Sequence, residues 1–367
     1  MKITFVMWGT DRTGGTNAIF QVADRLALAG HTVTVVSAGL MKHQWFSFKS
    51  SIKFRYPEEV LPKIRRKRVI EPILQLVQGI LRKYTPGIVL SKHLMLTLNI
   101  PEDSDVVIAT YYETAFCVQM FPSVEAKKFY YIQHFEPVFF QDPIQKQRVI
   151  QTYFFPLKWI VSSTWAKNRL LESIGKEGRV VIPGSDLDTY RPHEKTTDDK
   201  VRRIVSLGKS MPIKGLNYLL DALDEVIKVV PNIMLVLYGS EPSVKAKSRV
   251  PTEYVFKPTD EELADIYSNA DVVVTPSLFE SSPSPPIEAM ACGAPLVTTQ
   301  YGTEDYCFNN VNCLVVAPMD SNSLADAVLK LLLDPELCQR LRSEAFKTVK
   351  NLNWENTARE FFNAISS

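Results

Sequence analysis

The sequence predicts two doubly wound α/β domains that face each other across a cleft. Short apolar segments alternate with amphipathic segments in two separate series, and the polar stretch RPHEKTTDDKVR divides them. This alternation is typical of parallel sheets covered by helices on both faces. A chain of 367 residues with 46% hydrophobic content also exceeds what one core usually supports, which favours two domains.

The first series begins with a βαβ unit. KITFVMW is a predicted buried strand, TNAIFQVADRLALAG is an amphipathic helix that ends at Gly30, and HTVTVVS is the next strand. The later segments DVVIATY, KKFYYIQ and WIVSS are short and apolar, as expected of parallel strands buried on both faces. The segment 41–100 gives the weakest pattern and contains the basic run KIRRKR.

The second series repeats the alternation after the polar stretch. RRIVSLG, IMLVLYG, EYVFK, DVVVTPS, PLVTT and CLVVAP are predicted strands. GLNYLLDALDEVIKVV and TDEELADIYSNA are predicted helices, and a further helix is expected from about Pro286. Ligands of such sheets bind beyond the carboxyl ends of the strands, so functional residues are expected in the loops that follow strands.

Composition excludes several classes of protein. The chain has 42 basic and 40 acidic residues, a net charge of +2, so no global field favours nucleic acid. No apolar run approaches the roughly 20 residues that span a bilayer, so a soluble or at most peripheral protein is expected, and the scattered cysteines favour the cytoplasm. The cysteines form no CxxC pair and, with the five histidines, no metal-ligand spacing, which indicates reduced core thiols and no metal site. These cysteines are Cys117, Cys292, Cys307, Cys313 and Cys338.

Two loops have residues suited to phosphate. Gly14 and Gly15 open the first helix after the first strand, where glycines let a phosphate or sugar approach backbone amides. A simple tight turn explains the pair equally well. Lys209 and Lys214 lie five apart in GKSMPIKG after the first strand of the second domain, where they could neutralise a diphosphate without a metal. The alternative is a pair of solvated surface lysines.

Two glutamates frame the segment LFESSPSPPIEAMACGAP. Glu280 is expected at a strand end and Glu288 in the first turn of a helix that begins near Pro286. Two carboxylates and free amide donors around one small space suit a ligand that carries hydroxyls and an anion. The alternative is an ordinary connection in which Glu288 only complements the helix dipole.

These motifs together resemble the retaining, nucleotide-sugar-dependent glycosyltransferases of family 4, which adopt the two-domain glycosyltransferase B fold. The order of the glycine pair, GKSMPIKGLNYLLDAL, DVVVTPSLFESSPSPPIEAMACGAPLVTT, CLVVAP and LNWENTAREFF carries the resemblance. It covers the carboxy-terminal half closely and the amino-terminal half loosely. YYIQHFEP is also similar to a segment of rhamnosyltransferase-like members, where an acidic residue often replaces His134.

The resemblance implies a division of labour along the chain. It implies an acceptor-side domain over residues 1–183, a linker over 184–198 and a donor domain over 199–350. Residues 351–367 would form a terminal helix that crosses back to the first domain, with Asn353 as its cap.

The resemblance also implies roles for individual residues. Lys209 and Lys214 would hold the donor diphosphate, Glu288 the ribose hydroxyls, and Glu280 the donor sugar. Amides between Ser282 and Pro286, including that of Ser284, would meet the distal phosphate, although three prolines remove donors there. Loops around Gly239 and Lys257 would contact the base through backbone. The family usually has Gly-Phe-Gly where this chain has Ser281 to Ser284, which predicts a stiffer loop.

In the first domain, His134 follows a strand. Many members of this family have a histidine at this place that contacts the donor sugar, so the resemblance implies that role for His134. A core or surface histidine is the alternative, and Glu136 could share the same face. No strong base is evident, which agrees with retention, in which the leaving phosphate helps deprotonate the acceptor hydroxyl. No cofactor is predicted, because the nucleoside-diphosphate sugar is a substrate.

The predicted function is therefore transfer of a sugar to a glycan or lipid-linked acceptor in the synthesis of cell-surface polysaccharide. Two alternatives stay open: a nucleotide-sugar epimerase and a non-catalytic nucleotide-sugar-binding protein. A nicotinamide dehydrogenase is disfavoured because neither half has a GxGxxG turn. Basic and apolar residues at 63–83 could bind an anionic membrane surface, which would place the enzyme at the inner face of the membrane. A solvated basic turn before a core helix is the alternative.

Overall fold

The computed structural model describes residues 1–39, 45–57, 87–196, 200–241 and 248–367. The predicted membrane-binding segment 63–83 lies outside these residues. The chain divides into two units. The first comprises Met1–Ser162, Ala166–Val181 and Thr357–Ser367, and the second comprises Ser163–Trp165 and Ile182–Asn356.

The first unit contains a parallel sheet. Its order is β3-β2-β1-β4-β5-β6-β7, so the strand order reverses between β1 and β4. The strands are β1 (Lys2–Met7), β2 (Thr32–Ser37), β3 (Lys53–Arg55), β4 (Val106–Ala109), β5 (Lys127–Ile132), β6 (Lys158–Val161) and β7 (Arg179–Val180). The helices along this part of the chain are α1 (Gly14–Leu28), α2 (Gly87–Asn99), α3 (Tyr112–Met120), α4 (Pro143–Thr152) and α5 (Thr164–Ile174).

The second unit contains another parallel sheet, in the order β10-β9-β8-β11-β12-β13. Its strands are β8 (Arg202–Leu207), β9 (Ile233–Gly239), β10 (Thr252–Phe256), β11 (Val272–Thr275), β12 (Leu296–Thr299) and β13 (Leu314–Val316). Its helices are α6 (Leu216–Val229), α7 (Asp260–Ser268), α8 (Ser284–Ala291), α9 (Ser321–Leu333) and α10 (Pro335–Val349). The predicted fold class, two doubly wound α/β domains, is confirmed.

Each sheet is buried because its strands are apolar on both faces. In β8 and β9, Ile204 and Leu235 join one core cluster, whereas their neighbours Val205 and Val236 join another. Successive side chains of a strand point to opposite faces, so the two clusters lie on opposite sides of the sheet. The continuous apolar runs of the second series are therefore explained by helices on both faces.

The last helix, α11 (Trp354–Ser366), begins in the second unit and continues in the first. Asn353 caps it, since the side-chain Oδ1 accepts a hydrogen bond from Asn356 N at 2.8 Å. The predicted cap is confirmed. Farther along the helix, Phe361 is fully buried in the first unit, with ring centroids 5.9 Å from Phe5 and 5.2 Å from Tyr131.

Candidate functional site

The loops that follow the strands of the second sheet bring most of the predicted site residues together. The strand order reverses between β8 and β11, and the carboxyl ends of strands at such a point form the usual ligand site of an open α/β sheet. The loop after β8 contains Lys209 and Lys214, and the loop after β11 contains Glu280. These loops therefore flank the point of reversal.

Lys214 and Glu280 form an ion pair there. Lys214 Nζ donates to Glu280 Oε1 at 2.5 Å, and the hydroxyl of Ser277 donates to the same oxygen at 2.8 Å. The two charged side chains are only 21% and 18% exposed. Partial burial strengthens this ion pair, because the local dielectric is lower than that of water. The two residues are 66 positions apart in the sequence.

The backbone around Gly215 explains why the pair forms. Gly215 has φ of +70°, and a Cβ on it would lie 1.9 Å from the carbonyl oxygen of Pro276. Only glycine permits both the left-handed conformation and this close approach. The amide of Leu278 also donates to Ile213 O at 2.8 Å, so the loop after β8 is fixed against the loop after β11.

The loop after β12 fixes Glu280 from another side. Gly302 has φ of +84°, and a Cβ there would lie 2.3 Å from the carbonyl oxygen of Glu280. The amide of Glu280 donates to Tyr301 O at 3.3 Å. The backbone of Glu280 is thus fixed in the loop after β11, and Lys214 and Ser277 fix the orientation of its carboxylate.

Glu288 lies on α8, which begins at Ser284 rather than near Pro286. The prediction that Glu288 occupies the first turn is therefore wrong, because Ser284, Pro285 and Pro286 all lie in the helix before it. The helix dipole then has little effect on Glu288, since that effect is confined to the first turn. Prolines in the first turn cost nothing, because the amides there have no partner within the helix.

Buried tyrosines surround the carboxylate of Glu288. The hydroxyl of Tyr267 donates to Glu288 Oε2 at 3.3 Å, and the hydroxyls of Tyr238 and Tyr267 are 2.6 Å apart. Burial raises the pKa of Tyr267, and the neighbouring Tyr238 and the negative charge of Glu288 raise it further. Burial and Glu288 also raise the pKa of the Cys292 thiol to about 12. An anionic Glu288 thus has a neutral phenol as one hydrogen-bond donor.

The Ser-Pro segment between the glutamates is also fixed. Tyr306 is fully buried, and its hydroxyl donates to the carbonyl of Pro283 at 2.7 Å. Ser282 is half-buried, whereas Ser284 is exposed as the first residue of α8. The prolines predict a stiff segment, and the hydrogen bond from Tyr306 is a second restraint on it.

The loops after β8, β9 and β10 also touch one another. A Cβ on Gly239 would lie 2.5 Å from the carbonyl oxygen of Gly208, so only glycine fits there. Lys257 has φ of +49° and donates its amide to Gly239 O at 2.7 Å. Positive φ is uncommon outside glycine and concentrates at functional positions. Gly239 and Lys257 are thus neighbours, and their contact with the base stays a prediction.

Three predicted site residues lie in the first unit. Gly14 and Gly15 open α1, where Thr13 Oγ1 accepts from Thr16 N at 3.1 Å as the helix cap. A Cβ on Gly15 would lie 2.6 Å from Oε1 of Gln133. His134, the next residue, has its ring centroid 4.6 Å from that of Phe139. The glycine turn and His134 are thus close within this unit, while their roles stay predictions.

Glu136 does not share a strand face with His134, because β5 ends at Ile132. The expectation that it does is wrong. Glu136 is instead 3% exposed and begins a short 3-10 turn. Its carboxyl accepts from Tyr130 OH at 2.8 Å and from Tyr112 N at 2.9 Å. Burial raises the pKa of Glu136 to about 8, against the opposing effect of these hydrogen bonds.

Sequence reasoning did not predict several partners of the site. Ser277 and Tyr267 contact the two glutamates, Tyr238 contacts Tyr267, and Glu241 contacts Ser210 beside Lys209. Ser277 and Glu241 each lie two residues after the end of a strand, so the rule on strand ends could have indicated them. The tyrosines lie within elements and gave no such signal.

Metal-binding clusters and membrane-spanning helices are both absent from the part of the chain that the structure describes. Residues 1–39, 45–57, 87–196, 200–241 and 248–367 contain no group of three or more His, Cys, Asp or Glu side chains placed to hold a metal ion. In the same ranges, no helix has the length and apolar character needed to cross a membrane.

The chain is similar in sequence to known glycosyltransferases. Residues 201–334 match the family described as "Glycosyl transferases group 1". The D-inositol 3-phosphate glycosyltransferase of Rhodococcus erythropolis is 30% identical over 202 residues, 49% of this chain and 46% of that protein. The MMP alpha-(1->4)-mannosyltransferase of Mycolicibacterium hassiacum is 28% identical over 216 residues, 54% of this chain and 51% of that protein. The chain spans about half the length of the curated relatives it matches.

Solved structures resemble the whole chain in fold. Sucrose-phosphate synthase from Thermosynechococcus elongatus superposes with a TM-score of 0.73 at 19% identity, covering 99% of this chain and 97% of that one. HepE of Anabaena in complex with UDP-glucose gives a TM-score of 0.75 at 16% identity, covering 100% and 99%. The fold is thus that of the glycosyltransferase B proteins. Within that fold, residues 201–334 are similar to the group 1 glycosyltransferases, a family-4-like group.

Proposed function

We propose that the protein is a retaining glycosyltransferase that moves a sugar from a nucleoside-diphosphate sugar to an acceptor hydroxyl. The observation that carries the proposal is the Lys214–Glu280 ion pair at the reversal of strand order, with Lys209 in the same loop. Relatives named as glycosyltransferases and a neighbour solved with UDP-glucose support it. Each of these features fits the binding of a sugar diphosphate.

The lysines and Glu280 have complementary tasks in this proposal. When the glycosidic bond breaks, negative charge grows on the departing diphosphate, and Lys209 and Lys214 stabilise that charge. Glu280 accepts hydrogen bonds from hydroxyls of the donor sugar while its other contacts, Lys214 and Ser277, fix its orientation. The departing phosphate takes the proton of the acceptor hydroxyl on the same face of the sugar, which gives retention.

Replacement of the lysines tests the proposal. Lys209→Ala and Lys214→Ala are each expected to lower the rate of transfer at least about tenfold, which corresponds to about 1.4 kcal/mol. Lys228→Ala is the matched control, because Lys228 is an exposed lysine paired with Glu225 on α6. Thermal unfolding shows whether each variant is folded. Near wild-type rates in both folded variants would remove the lysines from the site.

Metal independence is part of the proposal, since two lysines supply the positive charge. A chelator is then expected to leave the rate largely unchanged. Loss of activity in the chelator that one divalent ion restores would contradict this part and leave the donor class intact.

The two alternatives left open by the sequence are separated by the products. An epimerase changes the nucleotide sugar with no acceptor present, whereas a transferase needs an acceptor to form a glycoside. A binding protein gives tight donor binding with no turnover on any acceptor. A panel of nucleotide sugars, first in a thermal-shift assay and then with acceptors, distinguishes the three, because bound ligand raises the melting temperature.

We further propose a glycan or lipid-linked acceptor and a role in cell-surface polysaccharide synthesis. The support is the sequence of residues 63–83, in which basic residues precede apolar ones. Such a segment binds anionic lipid at about 1 kcal/mol per basic residue. Sedimentation with anionic vesicles should show that the protein binds at low salt and is released at high salt. Replacement of Arg65, Arg66, Lys67 and Arg68 by serine should abolish the binding at low salt. No binding at low salt would favour a soluble acceptor and a cytoplasmic enzyme.

A further inference from the structure

Beside Lys209, the side chain of Glu241 contacts Ser210 through both carboxylate oxygens. The amide of Ser210 donates to Glu241 Oε1 at 3.1 Å and to Oε2 at 3.2 Å. The hydroxyl of Ser210 donates to Oε2 at 2.6 Å. One residue of the lysine loop thus directs two donors at a single oxyanion, and Lys209 is the residue before it.

The surroundings favour negative charge at this position. The pKa of Glu241 is lowered, first by the hydrogen bond from the Ser210 hydroxyl, next by that from its amide, with a further contribution from Lys209. A phosphate oxygen accepts from the same kinds of donor as a carboxylate oxygen, and backbone amides in loops are common phosphate ligands. The carboxylate of Glu241 therefore stands where a phosphate oxygen would be equally well bound.

The fold allows the carboxylate to leave without moving the loops. Gly208 and Gly239 are in close contact, which fixes the starts of the loops after β8 and β9. The hydroxyl of Tyr254 donates to the backbone carbonyl of Glu241 at 2.8 Å, which holds the main chain of Glu241 itself. Rotation of one side chain is then enough to release both donors of Ser210.

We propose that Ser210 is a further donor-binding residue, whose amide and hydroxyl bind a phosphate of the nucleoside diphosphate, and that Glu241 competes for these donors until the phosphate displaces it. The inference rests on the proposed function, because it names a partner for the same diphosphate. It assigns Glu241 the opposite effect to the lysines. The lysines raise affinity for the diphosphate, whereas Glu241 lowers it.

Inorganic pyrophosphate is the probe, because it carries the charge of the diphosphate and needs no knowledge of base or sugar. Calorimetric titration of the whole protein should show that Glu241→Ala binds pyrophosphate about three- to tenfold more tightly than wild type, since a competing like charge is gone. Ser210→Ala in the Glu241→Ala background should reverse part of this gain by removing the hydroxyl. Glu253→Gln is the charge-matched control, because Glu253 lies on β10 and pairs with Arg203.

The outcomes separate the inference from the proposed function. Unchanged or weaker binding in Glu241→Ala overturns the inference, and so does an equal gain in Glu253→Gln, which would reflect net charge alone. If Lys209→Ala and Lys214→Ala still lose pyrophosphate binding in that case, the proposed function stands. If the lysine variants bind pyrophosphate as well as wild type does, the proposed function fails.

Discussion

Glu280 and Glu288 have the same side chain but different surroundings, which suggests different partners in the donor. Glu280 is held by a lysine and a serine at the end of β11, whereas Glu288 lies on α8 beside a buried pair of tyrosines. Lys214 ties Glu280 to the loop expected to hold the diphosphate. Glu288 accepts a hydrogen bond from Tyr267.

This difference predicts separable effects of the two amide variants. Glu288→Gln is expected to weaken binding of the bare nucleoside diphosphate, because the proposed partners of Glu288 are ribose hydroxyls. Glu280→Gln is expected to leave that affinity nearly intact and to lower transfer, because its proposed partner is the sugar. Calorimetric titration with the nucleotide, alongside transfer assays, measures both, and equal losses of affinity would show the assignment to be wrong.

Glu136 predicts a pH dependence of stability. Its pKa is about 8 in the folded protein, against an ordinary value of 4.5, so the folded state holds more protons between these values. The free energy of unfolding should therefore fall as pH rises from about 4.5 to about 8, by up to about 1.4 kcal/mol per pH unit from this group. Glu136→Gln removes the titration and should flatten this fall.

Urea unfolding of the whole protein at pH 5, 6.5 and 8 measures this dependence of the free energy of unfolding on pH. The difference in free energy of unfolding between Glu136→Gln and wild type should move in favour of the variant with each step up in pH. Glu125→Gln, at an exposed position in the same unit, is the control for the change in charge. Parallel curves for wild type and Glu136→Gln would mean that Glu136 is ionised in the folded protein throughout this range.

Among the loops, the turn at Gly215 has the closest contact and therefore the clearest prediction. Gly215→Ala would add a Cβ 1.9 Å from Pro276 O in a residue with φ of +70°. We expect a loss of more than about 2 kcal/mol of stability, or a displaced lysine loop with weaker pyrophosphate binding. Gly175 is a matched control, because it has φ of +75° and nothing within 4 Å of an added Cβ.

Gly175→Ala should cost only about 1 kcal/mol, the ordinary penalty of the left-handed conformation. The difference between the two alanine variants, measured by urea unfolding and pyrophosphate titration, then reports the steric contact alone. Equal effects at the two glycines would show that the loop after β8 relaxes away from Pro276 without consequence.

Sequence patterns located most strands, because buried parallel strands are short apolar runs between turn residues. They placed the start of α8 two residues late, since prolines are compatible with both a loop and a first helical turn. They also did not predict α9 and α10. The contacts that form the site could not be predicted from sequence patterns, for a different reason. Lys214 and Glu280 are 66 residues apart, and Ser210 and Glu241 are 31 apart, so only the order of strands brings them together.

At the scale of the molecule, the first unit is completed by residues distant in sequence. Thr357–Ser367 belong to it, and Phe361 is fully buried against Phe5 and Tyr131. Phe361→Ala should destabilise the first unit by about 3 to 5 kcal/mol, because it leaves a cavity in a close-packed core. Relative to wild type, amide hydrogen exchange in Phe361→Ala should become faster in β1 and β5 by more than in β8 and β11.

Phe346→Ala is the control for this variant, because Phe346 lies on α10 and is 40% exposed. It should leave exchange in the first unit unchanged. Uniformly faster exchange across both sheets in Phe361→Ala would show that the two units unfold as one.

The position of Thr357–Ser367 also sets an order of events during synthesis. Domains usually fold as units while the chain leaves the ribosome, the amino-terminal one first. Here the unit that is translated first lacks part of its core until the whole of Ile182–Asn356 has been made. The nascent first unit therefore has an incomplete core near Phe5 and Tyr131 until Thr357–Ser367 have been made, immediately after the last residues of the second unit. The unit whose synthesis begins first is thus the last to have all of its residues.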